Sequence, residues 1–134
     1  MRRSVAGCAP CPIGPAHLEA TRSPTLYYRL TMFLARVEGS VVSTKKEASM
    51  NGRKLLLLRP QLVDEKDPTK FRPGLNTIVA VDTLGAGIGE LVMFCQGSSA
   101  RLAAGMKDAP IDAVIIGIVD SVDVLGKQIF NARQ

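Results

Sequence analysis

"VDTLGAGIGE", residues 81–90, places three glycines at alternate positions between an apolar run and an acidic residue. Two readings compete for it. A glycine-rich turn after a strand can cradle phosphate, and it can equally let one main chain lie close against another. The dinucleotide fingerprint requires G-x-G-x-x-G opening a helix, so that the helix N-terminus meets pyrophosphate. Here the spacing is G-x-G-x-G, and the β-favouring "ELVMFC" follows. A P-loop also needs Gly-Lys-Ser/Thr, and none follows. The stretch therefore reads as a loop between two strands that serves close backbone contact.

Its flanks extend that reading. "NTIVAVD" before the loop and "ELVMFCQ" after it are short apolar runs of strand length. Upstream, "FLARVEGSVVS" alternates Val37, Gly39 and Val41 with Arg36, Glu38 and Ser40, the period of a half-buried strand. "TKKEASMNG" ends in the turn dipeptide Asn51-Gly52, and "RKLLLLRP" is a strand-length run stopped by Pro60. Residues 61–75 carry charges, two prolines and a glycine, which predicts a long surface loop. "SSARLAAGMK" is the one helical segment, with Ser98 or Ser99 as cap and Gly105 as its close. "DAVIIGIVDSV" gives a fifth strand, and "VDVLGKQIFN" a final hairpin-like segment. Five or six short strands with one short helix and no β-α-β rhythm predict a mostly β fold, a small five-stranded OB-like barrel.

The 134 residues suit one domain. With 46% hydrophobic residues, 4% aromatics and no Trp, the core must be built from aliphatic side chains. Residues 1–31 differ in texture: they hold Pro10, Pro12, Pro15 and Pro24 and show no period. They read as a flexible arm, either an extension or a mis-called start, with the functional domain over 32–134. Four Arg against one Glu give the arm +3, and 13 basic against 11 acidic residues leave the remainder at +2. So mild a charge provides no footprint for duplex nucleic acid. No apolar run approaches the ~20 residues of a membrane span, and the start lacks a secretory h-region. A cytoplasmic protein is expected.

Catalytic chemistry finds little support. "GSSAR", residues 97–101, offers serines, but the single His of the chain is His17, in the arm. Cys8 and Cys11 form a C-x-x-C interleaved with prolines, and with His17 they stay one ligand short of a closed zinc site. Cys95 lies in an apolar run and reads as a small core residue. Asp82, Glu90, Asp112, Asp120 and Asp123 have no His or Cys neighbours that would make a metal signature. No catalytic residue, cofactor site or metal site is assigned. A single-stranded nucleic-acid module, the alternative an OB-like barrel suggests, needs stacking aromatics, and the body offers only Phe33, Phe71, Phe94 and Phe130. What remains is an assembly protein, in which Arg101 can pair with a carboxylate across an interface.

Taken together and in order, three segments are specific: "ARVEGSVVSTKKEASMNGRKLLLLRP", "VAVDTLGAGIGELVMFCQGSSAR" and "APIDAVIIGIVDSVDV". Over nearly all of residues 32–134 the chain resembles the EutN/CcmL family, the vertex proteins of bacterial microcompartments. The resemblance implies a five-stranded barrel assembled as a ring, a homopentamer with a six-fold form known in the family. It implies a place in a microcompartment shell (carboxysome or metabolosome) in the bacterial cytoplasm, beside hexameric shell proteins, with no enzymatic activity, no cofactor, and no role for nucleic acid or membrane. By position, the implied assembly residues are Gly85, Ala86, Gly87, Gly89, Glu90, Gly97, Ser98, Ser99, Ala100 and Arg101. Gly87 is expected to adopt a left-handed backbone or to lie against a neighbour, and the loop around residues 64–73 to meet facet proteins.

Overall fold

The computed structural model describes residues 32–103, 105 and 107–134. The arm, with Cys8, Cys11 and His17, lies outside the described residues. The strands are β1 (Met32–Val41), β2 (Lys54–Val63), β3 (Phe71–Pro73), β4 (Ile78–Asp82), β5 (Leu91–Gln96), β6 (Ala113–Ile118), β7 (Ser121–Val124) and β8 (Lys127–Asn131). One α-helix, α1 (Ser98–Ala103), follows β5.

Five strands close a barrel in the order β1-β5-β6-β4-β2, with β2 returning to pair with β1. All neighbours are antiparallel except β4 and β6, which meet in parallel at the single pair Val81↔Val114. β1 serves both sides: Met32–Arg36 face β5, while Ala35–Val41 face β2, with a bulge between Val37 and Gly39. Such a bulge adds local twist and lets one strand turn from one neighbour to the other. The expected five-stranded barrel with one short helix is the observed architecture.

Side-chain alternation explains the sequence texture strand by strand. Ala35, Val37, Leu56, Leu58, Ala80, Val92, Phe94, Ala113 and Ile115 point inward and form the barrel core. Their neighbours Val81, Cys95 and Val114 point outward, yet they too are buried, under Ala100 of α1 and under Ala109 and Ile111. β4, β5 and β6 are thus covered on both faces, which is why they read as continuous apolar runs. β1 has one face toward solvent and therefore alternates. Burial pushes the Cys95 thiol up from its ordinary range, as expected for a core residue.

Several expectations are corrected. Pro60 does not stop β2. It sits where β2 has left β4 (last pair Leu58↔Ile78) and not yet met β3 (first pair Gln61↔Pro73), so its missing N–H costs no bond on that side. Residues 61–75 are then a hairpin rather than a loop. Its turn is tied by the Asp64 amide donating to the Lys70 carbonyl (3.0 Å), and its base by the Gly74 amide donating to Pro60 (2.8 Å). At its tip the Thr69 hydroxyl and amide hold the Asp67 carboxyl below the usual range. The run 112–122 is not one strand either. It breaks after Ile118, and β7 and β8 form a separate two-stranded hairpin around Leu125-Gly126. Finally, α1 begins at Ser98 itself, so neither serine stands outside the helix as its cap.

Among the described residues Phe94 is the largest fully buried side chain, and it packs on Phe33 across the β1–β5 pair, centroids 5.6 Å apart. Phe94→Ala should cost about 3–5 kcal/mol. Urea unfolding checks this, and a loss under about 1 kcal/mol would mean the barrel collapses around the gap.

Candidate functional site

The glycine loop joins the end of β4 to the start of β5 at one end of the barrel. Ala86, at its centre, is fully buried among the inward residues and closes that end of the core. A loop that plugs a barrel must satisfy its own polar groups, and here side chains and neighbouring strands do so.

Asp82 organises the first half. Its side chain is completely buried, and its Oδ1 accepts from the amides of Leu84 (3.0 Å) and Gly85 (3.1 Å). Its Oδ2, shut away from solvent with no hydrogen-bond donor among the described residues, faces the Lys54 ammonium at 3.2 Å. The same ammonium donates to the Ala86 carbonyl at 2.6 Å. Glu90 organises the second half: its carboxylate accepts from the Gly87 amide (2.8 Å), and its carbonyl accepts from Val37 (2.9 Å). The Gly89 amide donates to the Val37 carbonyl (2.8 Å), and Arg36 donates to the Gly89 carbonyl (3.0 Å). The Arg36 guanidinium also lies 5.9 Å from the Phe130 ring centroid, linking loop and β7–β8 hairpin.

Laced in this way, the loop holds two apolar side chains outward, Leu84 at 50% and Ile88 at 71% exposure. Sequence reasoning passed over both, along with Lys54, because attention fell on the glycines. The glycines themselves divide. Gly85 (φ +85°) and Gly89 (φ +89°) hold left-handed conformations, whereas Gly87 does not. A Cβ built on Gly87 would meet only Glu90, at 3.7 Å, an ordinary contact. The expected left-handed backbone at Gly87 is therefore corrected to its two neighbours. Within one chain nothing demands a glycine at 87.

The second group stands apart. Gly97, Ser98, Ser99, Ala100 and Arg101 lie beyond the far end of β5, about 20 Å along the strand from the loop. The Gly97 amide donates to the Asp112 carbonyl (2.8 Å), and its carbonyl accepts from Ala100 (3.1 Å). Ala100 is buried, the two serines are half-buried, and Arg101 projects into solvent, without an ion pair among the described residues. The ten expected residues thus form two patches at opposite ends of one strand. Among the described residues no three His, Cys, Asp or Glu side chains gather as a metal site. Among them, too, no helix is long and apolar enough to cross a membrane.

Known proteins resemble this chain in sequence and in fold. Residues 32–120 match the family model described as "Ethanolamine utilisation protein EutN/carboxysome". The carboxysome shell vertex protein CcmL of Gloeobacter violaceus is 45% identical over 102 residues, covering 76% of this chain and 96% of that one. The microcompartment shell vertex protein PduN of Salmonella typhimurium is 47% identical over 91 residues, covering 68% and 98%. Among solved structures, Gloeobacter violaceus CcmL superposes with a TM-score of 0.65 at 44% identity, over 76% of this chain and 99% of that one. The pentameric microcompartment shell protein GrpN of Rhodospirillum rubrum gives 0.58 at 42%, over 69% and 98%.

Gly85→Ala forces a side chain into a left-handed conformation and should lower the unfolding free energy by about 1–2 kcal/mol. An unshifted urea midpoint would mean that the loop relaxes to another backbone.

Proposed function

This chain belongs to the EutN/CcmL family, and on that premise we propose that five copies of it form the ring that closes a vertex of a bacterial microcompartment shell. It acts in the bacterial cytoplasm as a structural component, without catalysis or a cofactor. Its neighbours are the hexameric proteins of the facets. The β2–β3 hairpin, with exposed Leu62 and Val63, is a surface for meeting them. Residues 32–134 are the vertex domain, and residues 1–31 lie outside it.

The observation that carries the proposal is the anchored glycine loop. It is tied by hydrogen bonds on both sides, it turns Leu84 and Ile88 outward, and at Gly87 it leaves room for a Cβ in ordinary contact with Glu90. A closed ring is heterologous, so each subunit must offer two unlike patches, one to each neighbour. The loop at one end of β5 and Gly97–Arg101 at the other are two such patches. Arg101 suits a carboxylate on the adjoining copy. The single-stranded nucleic-acid alternative is left short of stacking aromatics: Phe94 is buried, Phe33 packs against it, Phe130 lies beside Arg36, and a lone half-buried Phe71 remains.

Geometry gives the vertex role its physical sense. Hexagonal packing of flat hexamers stays planar or rolls into tubes, and a five-fold unit concentrates the curvature that a closed shell needs.

Native mass spectrometry of the purified protein should show a pentamer as the dominant species. Gly87→Val should retain β-type circular dichroism yet yield monomers, because a Cβ at 87 makes only an ordinary contact within the chain while a branched side chain would press on a neighbour. A fully assembled Gly87→Val ring would move the interface away from the loop. In the cell, deleting the gene where no paralogue exists should leave elongated or unsealed shells in electron micrographs, with facet proteins still present. Closed polyhedra of normal shape would reject the vertex role.

A further inference from the structure

Lys54 opens β2 directly opposite Asp82, the last residue of β4. Half of its side chain faces solvent. Its ammonium nevertheless bridges two groups with no other charged partner among the described residues: the sealed Asp82 Oδ2 at 3.2 Å and the Ala86 carbonyl at 2.6 Å. The geometry points to Lys54 as a positioning residue for assembly, a role that rests on the ring reading above.

The loop is held from two sides. Its second half is tied by Glu90, Arg36 and the Val37 backbone, and none of these depends on charge buried inside the barrel. The first half depends on Asp82, whose carboxylate is the one charged group buried among the described residues. A carboxylate sealed in the interior is costly to bury unless a cation stands beside it. Lys54 provides the cation and, through the Ala86 carbonyl, converts it into a fixed loop shape. Ala86 faces the core, so its carbonyl sets the direction in which the chain leaves the plug toward Leu84 on one side and Ile88 on the other. The polar partners of Lys54 are the Ala86 carbonyl and the Asp82 carboxylate, so its effect on the next copy runs through the loop backbone.

The test uses the full chain in three forms: wild type, Lys54→Arg, and the charge-balanced pair Lys54→Met/Asp82→Asn. The pair removes the bridge, while the amide oxygen introduced at position 82 can still accept from Leu84 and Gly85. Each form is diluted and the concentration at which the ring falls apart is read by native mass spectrometry, alongside circular dichroism and the urea midpoint. A charge-assisted hydrogen bond lost from the loop should raise that concentration about tenfold or more in the pair, with the β signal unchanged. Lys54→Arg, which can still reach both oxygens, should stay within about threefold of wild type. A pair that assembles at the wild-type concentration would overturn the proposal and leave the ring reading intact. Loss of the β signal in both variants would overturn it in favour of a fold-wide role for Lys54. A wild-type chain that is monomeric throughout would overturn the ring reading, and this role with it.

Discussion

Because β1 bonds to β5 along its first half and to β2 along its second, the sheet returns to its own beginning and leaves no open edge around the barrel. The bulge between Val37 and Gly39 makes that double service geometrically feasible. Much follows from it. The interior becomes a narrow tube filled by aliphatic side chains and Phe94, and its end must be closed by something small. Ala86 is small enough, and a loop that delivers a methyl group to that point needs sharp turns on either side, where Gly85 and Gly89 stand.

One loop therefore has an inner and an outer duty. Its inner face completes the core through Ala86, and its outer face carries Leu84 and Ile88. Changes that disturb the plug will also move the outward pair, so in the proposed ring the stability of one chain and the fit between chains are coupled. Asp82 sits at the junction of the two duties. It is an expensive residue to bury, and its cost is offset by two loop amides and one lysine.

Most of the barrel was legible along the chain, because strands covered on both faces leave continuous apolar runs and strands covered on one face leave alternation. "IVAV", "LVMFC" and "ARVEGSVV" announce themselves in this way. What escaped were features set by pairing rather than by local pattern. Pro60 looked like a terminator, since nothing nearby reveals that β2 changes partner at that point. β3 is three residues long and has too little sequence to show a period. In the candidate site, G-x-G-x-G does not say which glycine needs a left-handed backbone, and the structure puts it at Gly85 and Gly89 rather than at the central Gly87. Lys54 and Asp82 lie far apart in sequence. Only the register of β2 against β4 brings them face to face.

The seam between β4 and β6, held by the single parallel pair Val81↔Val114, also bears on how the chain acquires its structure. During synthesis β1, β2 and β4 emerge first and can pair as an antiparallel meander. The outer edges of β1 and β4 then stay unsatisfied until β5 and β6 arrive. Those edges are ready templates for another chain, and long-range closure is the slow step of such folds. Folding must therefore outrun encounter between incomplete copies, because the same subunits that belong side by side when finished can pair wrongly while the barrel is still open.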